Sequence, residues 1–224
     1  MQYMPSFLLI QKQAPAQAKA KIRQFMKREL RGENVVKGKD MLEKEAKRQE
    51  NKGITPADLV NRRDFRDELI VTIDGEDAKD LDDGVYVEKK DDGRFFLGVY
   101  IADVSWYVRE HEPLDVEAEA RGTSVYLVDR VVPMMPKALS NGICSLNAGV
   151  DRLSMACEMN ISPEGKVTDY KILPVVIHVY RRLTYTLVNK ILVDNDKEFV
   201  RDNEDIVPFL HDLQDVRNAM YKYR

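Results

Sequence analysis

Between Asp74 and Asp83 the chain carries six acidic side chains, Asp74, Glu76, Asp77, Asp80, Asp82 and Asp83, opposed only by Lys79. Two carboxylates about 4 Å apart repel by roughly 4 kcal/mol at an effective dielectric near 20. A fold that gathers several of them must offset that repulsion, most often with bound cations. Oxygen-only ligands of this kind suit hard cations, Mg²⁺ or Mn²⁺. The bland alternative is a solvated acidic loop between two strands. An EF-hand is excluded. Counted from Asp80 as position one, the glycine expected at position six is Val85 and the glutamate expected at position twelve is Asp91.

The flanking residues say how the carboxylates are positioned. Leu69 to Ile73 is apolar and β-branched, which predicts a strand ending at Asp74. Gly75 and Gly84 permit tight turns, and Val85-Tyr86-Val87 resumes a strand. Asp80, Asp82 and Asp83 therefore belong to the turn between two strands. Downstream, Asp91-Asp92-Gly93 predicts a hairpin turn before a strand over Phe95 to Ile101. Leu153 to Ile161 and Val167 to Val179 read as a second hairpin joined at Pro163-Glu164-Gly165-Lys166. Helical spacing marks Gln17 to Leu30, Met41 to Asn51, Pro113 to Gly122, a segment through Leu192, and Asp205 to Tyr223. Thr55 to Asp58 predicts a short capped helix, and Leu139 to Gly142 one helical turn. Arg62 to Asp67 is compatible with a charged turn. Asp103 suits either a helix cap or support of the carboxylate cluster. Hairpins rather than alternating βα units give an α/β (α+β) fold with a mostly antiparallel sheet and surrounding helices.

Asp74, Asp80, Asp82 and Asp83 stand at offsets zero, six, eight and nine within T-I-D-G-E-D-A-K-D-L-D-D. That string resembles the signature of the RNase II/RNase R family, the RNB-domain exoribonucleases, and its G-E-D-A filling resembles the RNase R branch. R-R-D-F-R-D before it, I-A-D-V-S from Ile101, the block from Asp129 to Asn147, and R-R-L-T-Y from Arg181 are similar to the same family. Met135 stands where Leu is expected, Leu187 where an acidic residue is expected, and His178 where Arg is more usual. The resemblance implies a 3′-to-5′ exoribonuclease that hydrolyses single-stranded RNA to nucleoside 5′-monophosphates with Mg²⁺ or Mn²⁺. It implies two cations, with Asp74, Asp80 and Asp83 as metal ligands and Asp82 completing the second metal site or orienting the attacking water; Asp80 and Asp82 are the expected catalytic pair. Tyr126, which as a residue type reads as a core tyrosine, matches the family's base-stacking aromatic position. Stacking tolerates any sequence, because every base has a π-face.

The chain of 224 residues has a net charge of −3, unevenly placed. Residues 1–68 hold 16 Lys+Arg against 10 Asp+Glu, and residues 69–224 hold 19 against 28. A basic leader before an acidic body fits a nucleic-acid partner with an acidic metal centre, and fits a plain charged helical hairpin as well. Cys144 and Cys157 are too few for a disulfide framework and lack zinc spacing, so no disulfide-linked partner is expected and the chain reads as cytoplasmic. No apolar run approaches the roughly 18 residues of a membrane span, and Met4 to Ile10 lacks the basic leader of a signal peptide. The expected organisation is a basic, mainly helical segment over 1–54, then the N-terminal portion of an RNB domain over 55–224. A family domain continues further, with a downstream arginine near the scissile phosphate, so the reading is of an incomplete catalytic domain. Its rival is a catalytically incompetent fragment that binds RNA or a partner.

Overall fold

The computed structural model describes residues 39–126 and 131–223. The helix expected over Gln17 to Leu30 lies outside the described residues, as does most of the basic leader. In chain order the first elements are α1 (Lys39–Lys52), a 3₁₀ turn (Pro56–Leu59), β1 (Arg63–Asp74), β2 (Asp83–Lys89), β3 (Phe95–Ala102), α2 (Val104–Tyr107) and α3 (Pro113–Arg121). They are followed by β4 (Val125–Tyr126), β5 (Val131–Val132), a bent helical turn (Ala138–Ile143), β6 (Asp151–Ile161), β7 (Val167–Thr184), α4 (Tyr185–Leu192), α5 (Lys197–Asp202) and α6 (Val207–Tyr223). Among the described residues the chain divides into two compact units: 39–51 with 104–126 and 131–140, and 52–103 with 141–223.

The second unit is built on a closed barrel in the order β1-β2-β3-β6-β7. Each neighbouring pair is antiparallel except β1 and β7. That exception follows from arithmetic. A ring of five strands alternating in direction must bring two of like direction together where it closes. The mostly antiparallel sheet expected from the hairpins is therefore present, with one parallel seam. The seam is irregular: Phe65 pairs with Ile177, but the next pair is Ile70 with Val179. Arg66, Asp67, Glu68 and Leu69 thus bulge opposite His178 alone. His178 is held in that gap by a 2.8 Å contact from Nδ1 to Asp151 Oδ1, and Arg66 donates to Asp151 Oδ2 at 3.1 Å.

Arg62 to Asp67 does not form a turn. β1 begins at Arg63, and the Arg62 side chain is buried. The 3₁₀ turn before it is closed by a capping box, in which the Thr55 backbone N–H and hydroxyl both donate to Asp58 Oδ2, at 2.8 and 2.6 Å. At the other end of the chain, the stripe predicted for the last helix is the one that packs. Ile206, Phe209, Leu210 and Val216 bury against Val71, Val87, Leu97, Ile161 and Leu183 on the barrel wall. Each such side chain contributes about 1.5–3 kcal/mol. Thr184 caps α4 by accepting the Leu187 N–H at 3.1 Å.

The β6–β7 turn meets α6 at Gly165. Its φ is +93°, and a Cβ there would lie 2.2 Å from the carbonyl carbon and oxygen of Ala219. Gly165→Ala combines backbone strain with a clash against helix backbone, so it is expected to cost about 3 kcal/mol or more. Urea unfolding checks this; a midpoint unchanged from wild type would contradict the packing described.

In the first unit, α3 starts with Pro113 in its first turn and ends at Gly122, φ +73°, whose N–H donates to Ala118 O at 2.8 Å. A buried Glu117–Arg121 ion pair of 2.7 Å lies on that helix, and Arg121 also donates to Pro133 O at 3.0 Å. β4 and β5 form a short antiparallel ladder, Val125 with Val132 and Tyr126 with Val131.

Candidate metal centre

Asp74 is the last residue of β1 and Asp83 the first of β2. Placement of these two follows from the strands themselves. Val71 pairs with Val85, and Asp74 is in register with Thr184 across the parallel seam. Gly84 sits where the sheet is tight: a Cβ there would come within 3.1 Å of Ile70 Cγ2, so a small residue lets β2 start beside the Asp83 carboxylate.

The loop between them is fastened at several points. Ser145 Oγ accepts the Leu81 N–H at 3.0 Å and donates to Lys79 O at 2.9 Å. The Leu146 N–H donates to Leu81 O at 2.8 Å, and the Ala102 N–H to Asp82 O at 3.0 Å. Leu81 points inward and is buried. Ser145 is itself held, because Arg152 Nε donates to its carbonyl at 2.7 Å. Arg182 donates to Gly75 O at 3.0 Å and to Glu76 O at 2.8 Å. In the sequence Ser145 and Arg182 stand out only as members of strings similar to the family, and their common target is not legible there. Ser145→Ala removes the acceptor of a buried amide and is expected to cost about 1–3 kcal/mol, read from the urea midpoint. An unaltered midpoint would mean that the loop is not fastened there.

The carboxylates feel one another. Partial burial raises the Asp74 pKa above its ordinary value of 3.8; Asp83 raises it further, with smaller contributions from Asp82 and Asp80, and Arg182 opposes them. Asp82 is likewise raised, first by partial burial and then by Asp80 and Asp83. Four like charges are thus held in one field by a fastened backbone. Among the described residues no three His, Cys, Asp or Glu side chains are already drawn close enough to hold a metal ion as they stand. The donor chemistry nonetheless fits a hard divalent cation. The set is oxygen-only, and its mutual repulsion is the force that a cation offsets.

Other expected residues fall elsewhere. Asp103 accepts a hydrogen bond from Arg62 in a buried ion pair, where the two side chains are 6 % and 4 % exposed. Tyr126 lies on β4 in the first unit and is 60 % exposed, so it is not the core tyrosine its residue type suggests. Cys144 is buried, which pushes its thiol up to about 12 and keeps it protonated at neutral pH. Among the described residues no helix is long and apolar enough to cross a membrane.

The profile of a family described as the RNB domain matches residues 62–224. Ribonuclease R of Thermotoga maritima is 58 % identical over 137 residues, covering 61 % of this chain. The chain spans only 19 % of that relative's length. Among solved structures, Mycoplasma genitalium RNase R in complex with ribose methylated single-stranded RNA matches with a TM-score of 0.68 and 33 % identity, over 80 % of this chain and 28 % of that one. Yeast Ssd1, a pseudonuclease, matches with a TM-score of 0.62 and 18 % identity, over 76 % of this chain and 20 % of that one, a likeness of fold alone.

Proposed function

The chain belongs to the RNB-domain family, and from that membership we propose that it acts as a ribonuclease R-like hydrolase, removing nucleoside 5′-monophosphates from the 3′ end of single-stranded RNA. The observation that carries the proposal is the group of Asp74, Asp80, Asp82 and Asp83, in which Asp74 and Asp82 both feel Asp80 and Asp83, on a loop fastened at both ends. In this reading Asp74, Asp80 and Asp83 hold the cation. Asp82 completes the set or accepts a hydrogen bond from the attacking water and fixes its direction. Tyr126 offers a ring face to a base, independent of sequence. The chemistry that a bound Mg²⁺ or Mn²⁺ supplies is positive charge against the phosphate oxygens and a lower pKa for water. Two free thiols and an RNA substrate suit a cytoplasmic protein.

Product identity tests the chemistry. Attack by water on the phosphorus with departure of the 3′-oxygen leaves the phosphate on the 5′ side of each released nucleoside. Digestion of a uniformly labelled single-stranded RNA should therefore yield nucleoside 5′-monophosphates. Products carrying 3′- or cyclic phosphates would overturn the proposal.

A second reading is binding without cleavage. It is favoured by the absence, among the described residues, of three His, Cys, Asp or Glu side chains close enough to hold a metal ion as they stand. Filter binding would then show affinity falling steeply with salt, by a slope of about −0.7 per phosphate contact, with no product formed.

A further inference from the structure

We propose that Arg182 is a positioning residue for the aspartate loop, setting the direction in which the chain leaves β1 so that Asp80, Asp82 and Asp83 return to Asp74. The proposal rests on the reading of these aspartates as a cation site. The geometry begins with the parallel seam. Thr72 is in register with Arg182 and Asp74 with Thr184, so the guanidinium extends alongside the end of β1. One of its terminal nitrogens donates to two successive carbonyls, Gly75 O at 3.0 Å and Glu76 O at 2.8 Å. These are the first two carbonyls after Asp74. Here the strand ladder has ended, and the backbone needs another partner.

The loop has two halves with different fastenings. Residues 79–82 are tied by Ser145, Leu146 and Ala102. Among the described hydrogen bonds, residues 75–78 are tied from outside the loop through Arg182, and their internal bond, from the Ala78 N–H to Gly75 O at 3.2 Å, shares the carbonyl that Arg182 holds. Gly75 adds no restraint of its own. A Cβ at Gly75 would meet nothing within 4 Å, so packing does not select its conformation, and glycine is the residue with most backbone freedom to lose.

A second observation separates positioning from simple stabilisation. Arg182 Nε is buried without a hydrogen-bond partner, and so is Oγ1 of Thr72, its neighbour in register. A side chain kept only for stability is not expected to strand a donor in this way. The orientation that strands Nε is the one that carries the terminal nitrogen to both carbonyls. Lys also offers several donors on one nitrogen, but on a flexible stem that is not pre-organised by a planar guanidinium, so it holds the two carbonyls less firmly.

The test is Mn²⁺ affinity, followed by electron paramagnetic resonance of free and bound ion, in wild type, Arg182→Ala and Arg182→Lys. Charge and position predict opposite signs. Removing a positive charge beside the carboxylates should tighten cation binding if charge were all that mattered. Loss of positioning should weaken it, and we expect Arg182→Ala to bind about tenfold more weakly, with Arg182→Lys between it and wild type. Affinity unchanged or tighter in Arg182→Ala would overturn the proposal. Amide exchange over residues 75–78 is read on the same proteins without metal, and should be faster in Arg182→Ala while the barrel strands keep their protection. Unchanged exchange in the loop would also overturn it. Faster loop exchange together with no Mn²⁺ binding in wild type would uphold Arg182 as the fastening and reject the cation site. Arg182→Lys keeps the charge and guards against a variant that fails to fold.

Discussion

Arg62→Met is expected to lower stability by about 3–5 kcal/mol, because it leaves the Asp103 carboxylate buried without its cation. Both side chains are nearly excluded from solvent, at 4 % and 6 % exposure. Whole domains are stable by only about 5–15 kcal/mol, so the loss takes a large share of the total. Arg62 also donates to Asp58 O at 3.1 Å, and more weakly to Ser154 O at 3.3 Å and Val175 O at 3.4 Å. It therefore joins the 3₁₀ turn, β6, β7 and the end of β3. The last of these matters for the site, since Ala102, the final residue of β3, holds Asp82 O. Urea unfolding measures the effect. The double variant Arg62→Met/Asp103→Leu should recover part of the loss, as neither charge is then stranded, but not all of it, as three carbonyls lose their donor. A single variant within 1 kcal/mol of wild type would contradict the buried pair.

Asp82→Asn should have two opposite effects. Any RNA-degrading activity should fall by more than about 100-fold, since the change removes a charge at the centre itself, where even outer partners matter by 10–100-fold. The folded protein should at the same time become more stable when divalent cations are chelated. The sign follows from the raised pKa. The folded state disfavours the ionised Asp82, so this carboxylate destabilises the fold fully above its raised pKa, and that effect vanishes as pH falls to the unfolded value near 3.8. The gain in Tm on substitution should accordingly be largest at neutral pH and disappear near pH 4. Equal Tm values at neutral pH, or wild-type turnover in the variant, would rule out the role given to Asp82.

What the sequence revealed, and what it hid, divides by range. The acidic loop between two strands was legible because its signal is local: β-branched residues up to Ile73, glycines at 75 and 84, and carboxylates too dense to be indifferent to one another. The final helix was legible because Ile206, Phe209, Leu210, Val216 and Met220 repeat with helical period, and that stripe is the buried one. The parallel seam was not legible, because nothing local to β1 or β7 reports that a fifth strand returns to the first. Arg62 looked like part of a charged turn, since its partner Asp103 is 41 residues away. Ser145 and Arg182 escaped for the same reason. Ser145 acts on the aspartate loop from the turn that follows Ala138–Ile143 and Arg182 from the end of β7, and a serine or arginine in an unexceptional segment carries no mark of its target. Tyr126 misled as a residue type because an aromatic beside Val125 suggests burial, while the two-residue strand β4 leaves alternate side chains on opposite faces.

The nuclease centre proposed at Asp74, Asp80, Asp82 and Asp83 requires these aspartates to work together with a cation within this chain. The most direct measurement follows a 5′-labelled single-stranded RNA incubated with the protein and Mg²⁺ or Mn²⁺, with Asp82→Asn in parallel. Progressive shortening from the 3′ end is expected with wild type, none with the variant, and none when the cation is chelated. Intact RNA at high wild-type concentration, or equal shortening by wild type and Asp82→Asn, would contradict the proposed centre.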